Sequence, residues 1–311
     1  MGALLLGLSN LLETDVIIAI LIGAIGGVVI GAIPGIGPAI AIAILLPATI
    51  FLEDLVSLVL LLGIYGSAMY GGAIPAILIN TPGTPVNALT TYDGYSMTKN
   101  GDAPRALSLA YSSSFFGGCF SISIALICLI VFGPYLRDFG ALFGQRDIFM
   151  AAALGSVLLI LAHRQNMAIA AMLFALGFLI SMVGRQTSRG VARYTFEIEY
   201  LASGFNLIVV IVGIFALSQA LNLMNGKDTD PPETKITKGL FKGLAELKKY
   251  PAVAFISASF GTVMGIIPGV GEFVAQFFSY STARSLSKTP SKFGYGAPEG
   301  LIACETSNNA V

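Results

Sequence analysis

The sequence predicts an all-α, polytopic integral membrane protein with inverted repeats and broken or re-entrant helices. Three observations carry that prediction. The 311 residues are 55% hydrophobic and 11% charged, with a mean hydropathy of +0.83, against roughly 25% charged residues in a soluble domain. The apolar residues fall in long runs, several of them near the roughly 20 residues that cross a bilayer. One glycine–proline string also occurs twice, each time inside an apolar stretch.

Seventeen Lys plus Arg balance 17 Asp plus Glu, so no net field draws in nucleic acid. The hydrophobicity excludes a disordered chain, and the lipid bilayer is the expected surrounding. Cys119, Cys128 and Cys304 show no paired spacing, which removes a disulfide framework or a CxxC metal site; they read as buried free thiols. The single histidine, His163, beside Arg164, cannot build a zinc site and reads as a loop residue.

Residues 1–14 form an apolar segment without the basic start and cleavage site of a secretory signal, and read as an interfacial helix. Residues 15–105 make a first transport repeat, with apolar runs at 16–33, 38–51 and 55–79. The second run is too short to span. It pairs with the first around Pro34-Gly35-Ile36-Gly37 as a broken helix or re-entrant hairpin. Residues 106–224 supply connecting transmembrane helices, with runs at 106–133, 147–162, 166–183 and 204–223. Residues 225–250 are a polar linker holding Pro231-Pro232 and six lysines (Lys227, Lys235, Lys238, Lys242, Lys248, Lys249), cytoplasmic because such loops collect basic residues. Four runs separate it from Lys99 and Arg105, so both loops share one side and Arg137, Arg146, Arg185, Arg189 and Arg193 lie on the other. Residues 251–311, with a run at 252–267, begin a second, inverted repeat.

The repeat rests on Gly31-Ala32-Ile33-Pro34-Gly35-Ile36-Gly37 and Gly265-Ile266-Ile267-Pro268-Gly269-Val270-Gly271. By the crossing count the two copies are entered from opposite sides. Inverted repeats with interrupted helices point to a secondary transporter. Proline removes an N–H and glycine frees the backbone, leaving amides and carbonyls that are tolerated at membrane depth only when protein buries them or they line a wet cavity. The amides of a half-helix start hold an anion, and freed carbonyls hold Na⁺. Pro34, Gly35, Gly37, Pro268, Gly269 and Gly271 are therefore candidate binding residues. Glu272, next to the second copy, reads as a helix cap, with a proton or Na⁺ site as the alternative.

A second break follows at Asn80-Thr81-Pro82-Gly83-Thr84-Pro85, with Asn87, Thr90 and Thr91 beyond. Uncharged hydroxyls and amides beside exposed backbone suit a carboxylate and a cation; a plain loop exit with turn residues is the competing reading. Asn80, Thr81, Pro82, Gly83 and Thr84 join the candidate site. Tyr65-Gly66 and Tyr70-Gly71-Gly72 read as packing positions.

These residues resemble a known family. Pro34-Gly35-Ile36-Gly37-Pro38, Leu46-Pro47, Ile64-Tyr65-Gly66, Met69-Tyr70-Gly71-Gly72, Ile77 to Pro85 and Asp93-Gly94-Tyr95 are similar to the large membrane subunit of the tripartite tricarboxylate transporters, the TctA family. So are Pro268-Gly269-Val270-Gly271, Ser279-Tyr280, Phe293-Gly294-Tyr295-Gly296, Glu299-Gly300 and Glu305 with Asn308-Asn309-Ala310. The resemblance runs from about Gly23 to Val311. It implies import of tricarboxylates such as citrate, or related carboxylates, by symport with Na⁺ or H⁺ and no other cofactor. It also implies a periplasmic solute-binding protein and a small transmembrane subunit as partners, in the bacterial inner membrane. Asp93, Glu305, Asn308 and Asn309 become candidate coupling or structural residues. Ala73, Glu272 and Arg284 depart from the family pattern. By symmetry the second repeat calls for its own counterpart of the Asn80–Pro85 loop, which the sequence does not reach by Val311, so the second repeat is expected to be incomplete.

Two other classes compete. A membrane aspartyl protease pairs two carboxylates that share a proton, and Tyr92-Asp93 has no Gly-x-Gly-Asp companion; a serine enzyme needs a histidine base. A structural scaffold has no use for matched helix breaks.

Overall fold

The computed structural model describes residues 7, 9–34, 37–141, 144–162, 167–186, 190–206, 209–210, 212–224, 242–266 and 271–311. The first three runs become helices α1 (Thr14–Gly31), α2 (Pro38–Thr49) and α3 (Asp54–Ile79). Gly37 precedes α2, and Pro38 takes its first position, where proline's missing N–H leaves no bond unmade. The 12 residues of α2 rise about 18 Å, well short of about 30 Å of hydrocarbon.

Small residues join α1 to α3. A Cβ added at Gly27 would overlap Ser67 and Ile64, one at Gly31 the Ala68 carbonyl, and one at Gly71 the Val28 carbonyl. Ser67 Oγ donates to Gly63 O and Gly23 O at 2.6 and 3.0 Å. Such seams let two backbones approach closely. The opposite face of α1, with Ile18, Leu21, Ile22, Ile25 and Val29, is exposed, as befits a helix whose outer side meets lipid.

At the end of α3, Asn80 adopts the left-handed conformation (φ 56°) and the Thr81 N–H returns to Pro75 O at 3.2 Å, closing the helix in a Schellman-like turn. A 3₁₀ turn (Pro85–Ala88) leads into α4 (Thr90–Lys99). Helix α5 (Ala103–Ala141) outruns its apolar stretch, and α6 (Gln145–Ala162) and α7 (Met167–Ser181) follow.

Two features differ from the helical expectation. Strands β1 (Gly184–Arg185) and β2 (Ala192–Arg193) pair antiparallel in the connection after α7, where Gly184 and Gly190 supply positive φ. The run 204–223 is not one straight helix: α8 (Glu199–Ala202) precedes it, and a π-helical turn at Val212–Leu217 leads into α9 (Ser218–Met224).

Helix α10 (Lys242–Leu247) docks on α5. Arg105 meets Glu246 from Nε and Nη2 at 3.0 and 2.5 Å, and the Gly243 N–H donates to Ser108 Oγ at 2.7 Å. Helices α11 (Pro251–Ile266) and α12 (Gly271–Leu286) flank the second glycine–proline string as α1 and α2 flank the first. A 3₁₀ turn (Pro290–Lys292) precedes α13 (Pro298–Asn308). Among the described residues, Thr14–Gly31, Asp54–Ile79 and Ala103–Gly133 are long and apolar enough to cross a membrane, with Met167–Ser181 and Pro251–Ile266 as shorter apolar helices.

The first and last segments meet. Helix α13 packs against α4, α5, α11 and α12, and a shared core runs through Ala73, Ile77, Met97, Leu109, Leu301 and Ile302. The expectation of three buried thiols needs correction: Cys304 is buried, Cys128 is half-buried and Cys119 is exposed. Apolar flanking sequence in a membrane helix does not separate a lipid-facing side from a protein-facing one. His163, Arg164, Arg189, Lys227, Lys235 and Lys238 lie outside the described residues.

Candidate functional site

Segment 80–91 is largely interior, with Asn80, Pro85 and Ala88 half-buried. Thr81, Thr84, Asn87, Thr90 and Thr91 are all buried, as are Pro82 and Gly83. Gly83 donates its N–H to Gly72 O at 3.1 Å. A Cβ there would strike the Gly31 carbonyl and lie 2.6 Å from Gly72 Cα. The loop is thus held between the end of α1 and the middle of α3. Gly83 is not among the positive-φ residues, so glycine is needed for close approach rather than for an unusual backbone angle. Gly37 also comes near: its Cβ would sit 3.7 Å from Pro85 Cδ. The first break and the Asn80–Pro85 loop form one locus, with Pro34 half-buried beside it.

From that locus a buried chain of side chains crosses to the other end of the sequence. Thr84 Oγ1 donates to Asn87 Oδ1 at 2.5 Å, and Asn87 Nδ2 donates to Glu305 Oε1 at 3.4 Å. Thr90 Oγ1 donates to the same oxygen at 2.5 Å, and Ser114 Oγ to Glu305 Oε2 at 2.9 Å. Glu305, Thr84, Asn87, Thr90 and Ser114 are each 0% exposed. A carboxylate so deep is costly unless hydrogen-bonded, and here α4, α5 and the 3₁₀ turn between α3 and α4 supply the donors.

Asp93, 1% exposed, is held differently. Its Oδ1 accepts the backbone N–H groups of Gly294, Gly296 and Ala297 at 2.9, 2.9 and 2.8 Å, while Tyr280 Oη donates to Oδ2 at 2.9 Å. Gly294 (φ 87°) and Gly296 (φ 98°) turn the chain so that these amides converge. Ala297 is the residue before α13, so Asp93 caps that helix from another part of the chain, where a negative charge also suits the helix dipole. Burial holds the Asp93 carboxyl above its ordinary range, and the four hydrogen bonds offset only part of that rise.

Glu272 sits in the first turn of α12, as a cap would, and also has a partner on another helix. Its Oε1 accepts a hydrogen bond from Tyr65 Oη at 2.6 Å, tying the first turn of α12 to α3. Tyr65 is therefore a contact residue, whereas Gly71 and Gly72 are packing positions: a Cβ on Gly72 would overlap Asn87 Oδ1. Gly271 opens α12 with φ 63°. Gly35, Pro268 and Gly269 lie outside the described residues. Asn309 Nδ2 donates to Glu305 O at 3.4 Å, and Asn308 is buried with both amide atoms lacking a protein partner.

Sequence reasoning missed several buried polar residues. Ser113 on α5, Ser257 on α11, Gln276 and Ser279 on α12 and Thr306 on α13 are buried with polar side-chain atoms that find no protein partner. Buried polar groups in this state call for a ligand, an ion or water. A sequence signal existed: Ser112-Ser113-Ser114 and Gln276 are polar islands in apolar helices.

The chain's residues 17–311 match the model of the tripartite tricarboxylate transporter TctA family. The chain belongs to the TctA family. It is 34% identical over 307 residues to an Agrobacterium vitis protein described as an uncharacterized 52.8 kDa protein in the TAR-I ttuC' 3' region. That alignment covers 98% of this chain and 60% of the relative. A second protein of that organism, described as uncharacterized and in the TAR-II ttuC' 3' region, is 48% identical over 51 residues, 16% of this chain and 21% of that protein. No solved structure matches. In this TctA chain, of the three departures from the family pattern, Ala73 lies in the core, Glu272 bonds Tyr65, and Arg284 is exposed.

Proposed function

We propose that the chain belongs to the large transmembrane subunit of a binding-protein-dependent secondary transporter of the bacterial inner membrane, importing tricarboxylates or related carboxylates by symport with Na⁺ or H⁺. A periplasmic solute-binding protein delivers substrate, and a small transmembrane subunit completes the assembly. Family membership supports transport. The observation that carries the site is the buried chain Thr84–Asn87–Glu305, which links the Asn80–Pro85 loop to α13. Pro34, Gly35, Gly37 and Asn80–Thr84, with Pro268, Gly269 and Gly271 from the second break, are the residues assigned to substrate and ion. Backbone amides and hydroxyls there suit a carboxylate because they place no fixed negative charge beside it.

Uptake of labelled citrate and other carboxylates into vesicles holding the complete complex tests this. Uptake that needs the binding protein and an inward cation gradient is expected; equal uptake without any gradient would overturn symport. Thiol labelling of Thr81→Cys, in a chain with its three native cysteines replaced, should be slowed by the transported carboxylate. Labelling indifferent to every carboxylate would favour a scaffold.

A further inference from the structure

Four buried or half-buried carboxylates join distant parts of this chain, and their donors differ in kind. Glu246 is paired with the Arg105 guanidinium. Asp93 is bound by three backbone N–H groups and one phenol. An N–H can only donate, so those bonds require an acceptor on Asp93 at all times. Glu272 has one phenol partner at a partly exposed position. Glu305 is bound by two alcohols and one side-chain amide, wholly inside the protein. An alcohol donates or accepts as its hydrogen rotates, and a helical Ser or Thr can turn that hydrogen to a carbonyl three or four residues back.

We propose that Glu305 is where this transporter binds and releases its coupling proton. The inference rests on the transport reading above and names the ion. On loading, a proton from water forms an O–H bond with one Glu305 carboxylate oxygen, and the Thr90 or Ser114 hydroxyl beside it changes from donor to acceptor. On release that bond breaks and the proton returns to water on the other side. No other bond changes.

The surroundings favour a proton over a metal cation. Among the described residues, every hydrogen-bond partner of Glu305 is neutral, and no Lys, Arg or His pairs with it. The titratable groups interacting with it are Tyr70 of α3, Tyr111 of α5 and Cys304 of α13, with Asp93 of α4 beyond Cys304. Helix α11 contains no titratable residue. On α12, Glu272 and Tyr280 are engaged with Tyr65 and Asp93, and Arg284 is exposed. A buried carboxylate with no cationic partner takes up a proton. Asn87 presents its amide nitrogen to Glu305 and its oxygen to Thr84; the nitrogen repels a cation at that position and tolerates a neutral acid.

Infrared difference spectroscopy against pH, on the full-length protein in lipid vesicles with and without Na⁺, tests the proposal. The unmodified protein should show the C=O stretch of an un-ionised carboxylic acid that titrates with pH. The band should be lost in Glu305→Gln and displaced in Glu305→Asp. Absence of any band that Glu305→Gln removes, or ionisation that follows Na⁺ instead of pH, would overturn it. If Glu305→Gln does not insert, Glu305→Asp decides alone: an unmoved band overturns the assignment. In the complete complex, accumulation driven by an inward pH gradient should fall to a ratio of one in Glu305→Gln. A titrating Glu305 in a complex that exchanges no labelled carboxylate would instead sink the transport reading and leave the proton site standing.

Discussion

Asp93 and Glu305 both bind the first part of the chain to the last, yet one is fastened to backbone and the other to side chains. Asp93 gathers the turn Gly294–Ala297 and so sets where α13 begins. Glu305 lies further along the same helix among hydroxyls and an amide. The difference teaches that a buried charge can serve architecture or exchange, and that the chemistry of its donors separates the two. Removing Asp93 deprives three backbone N–H groups, whereas at Glu305 two of the three donors are hydroxyls that can rotate to another acceptor and only the Asn87 amide N–H must donate.

Asp93→Ala is the sharpest break of that contrast. It strands three N–H groups, at roughly 1–3 kcal/mol for each that water cannot reach. A large fall in the thermal unfolding midpoint, with new protease cleavage between Ser287 and Ala297, is expected; an unchanged midpoint would end its role as a clamp. Gly83→Val attacks the other region. Its side chain enters the space held by the Gly31 carbonyl and Gly72, so uptake should be abolished while membrane insertion, measured by fractionation, persists. Normal uptake would remove the Asn80–Pro85 loop from the site. Asn80→Val should cost about 1–2 kcal/mol in stability, because a β-branched residue resists the left-handed region, whereas Asn80→Gly should be near neutral; equal unfolding midpoints for the two would refute the capping role. Tyr65→Phe should have the smallest effect, about 0.5–1.5 kcal/mol, because its bond to Glu272 is partly exposed. A loss as large as that of Asp93→Ala would make this tie a second clamp.

Much of the architecture was legible because helix breaks are written in local chemistry. Pro34, Pro82 and Pro85, each within two residues of a glycine, lie where the helices are interrupted, whereas the lone Pro47 and Pro75 lie inside α2 and α3. The polar run Asn80 to Thr91 was legible as a candidate site through its residue types. What could not be read was partnership. Nothing along the sequence ties Thr90 to Glu305, 215 residues away, or explains Gly294 and Gly296 through Asp93. Direction was also hidden: Cys119 lies within an apolar stretch and Cys304 beside one, yet the first is exposed and the second buried, because lipid and protein interior ask for the same residue types. Glu272 shows a third limit: its place in the first turn of α12 was readable, and its bond to Tyr65 on another helix was not.

The glycine seam between α1 and α3 has a mechanical consequence. Gly23, Gly27 and Gly31 each sit where a Cβ would collide with α3, and Ser67 of α3 donates across the join to the Gly23 carbonyl. Sliding one helix along the other by less than a full turn would drive a side chain into backbone at several points at once. The two helices therefore act as one strut, and any movement that alternately exposes the buried chain around Glu305 has to be borne by α13 and the helices around it, with α1 and α3 as the fixed frame.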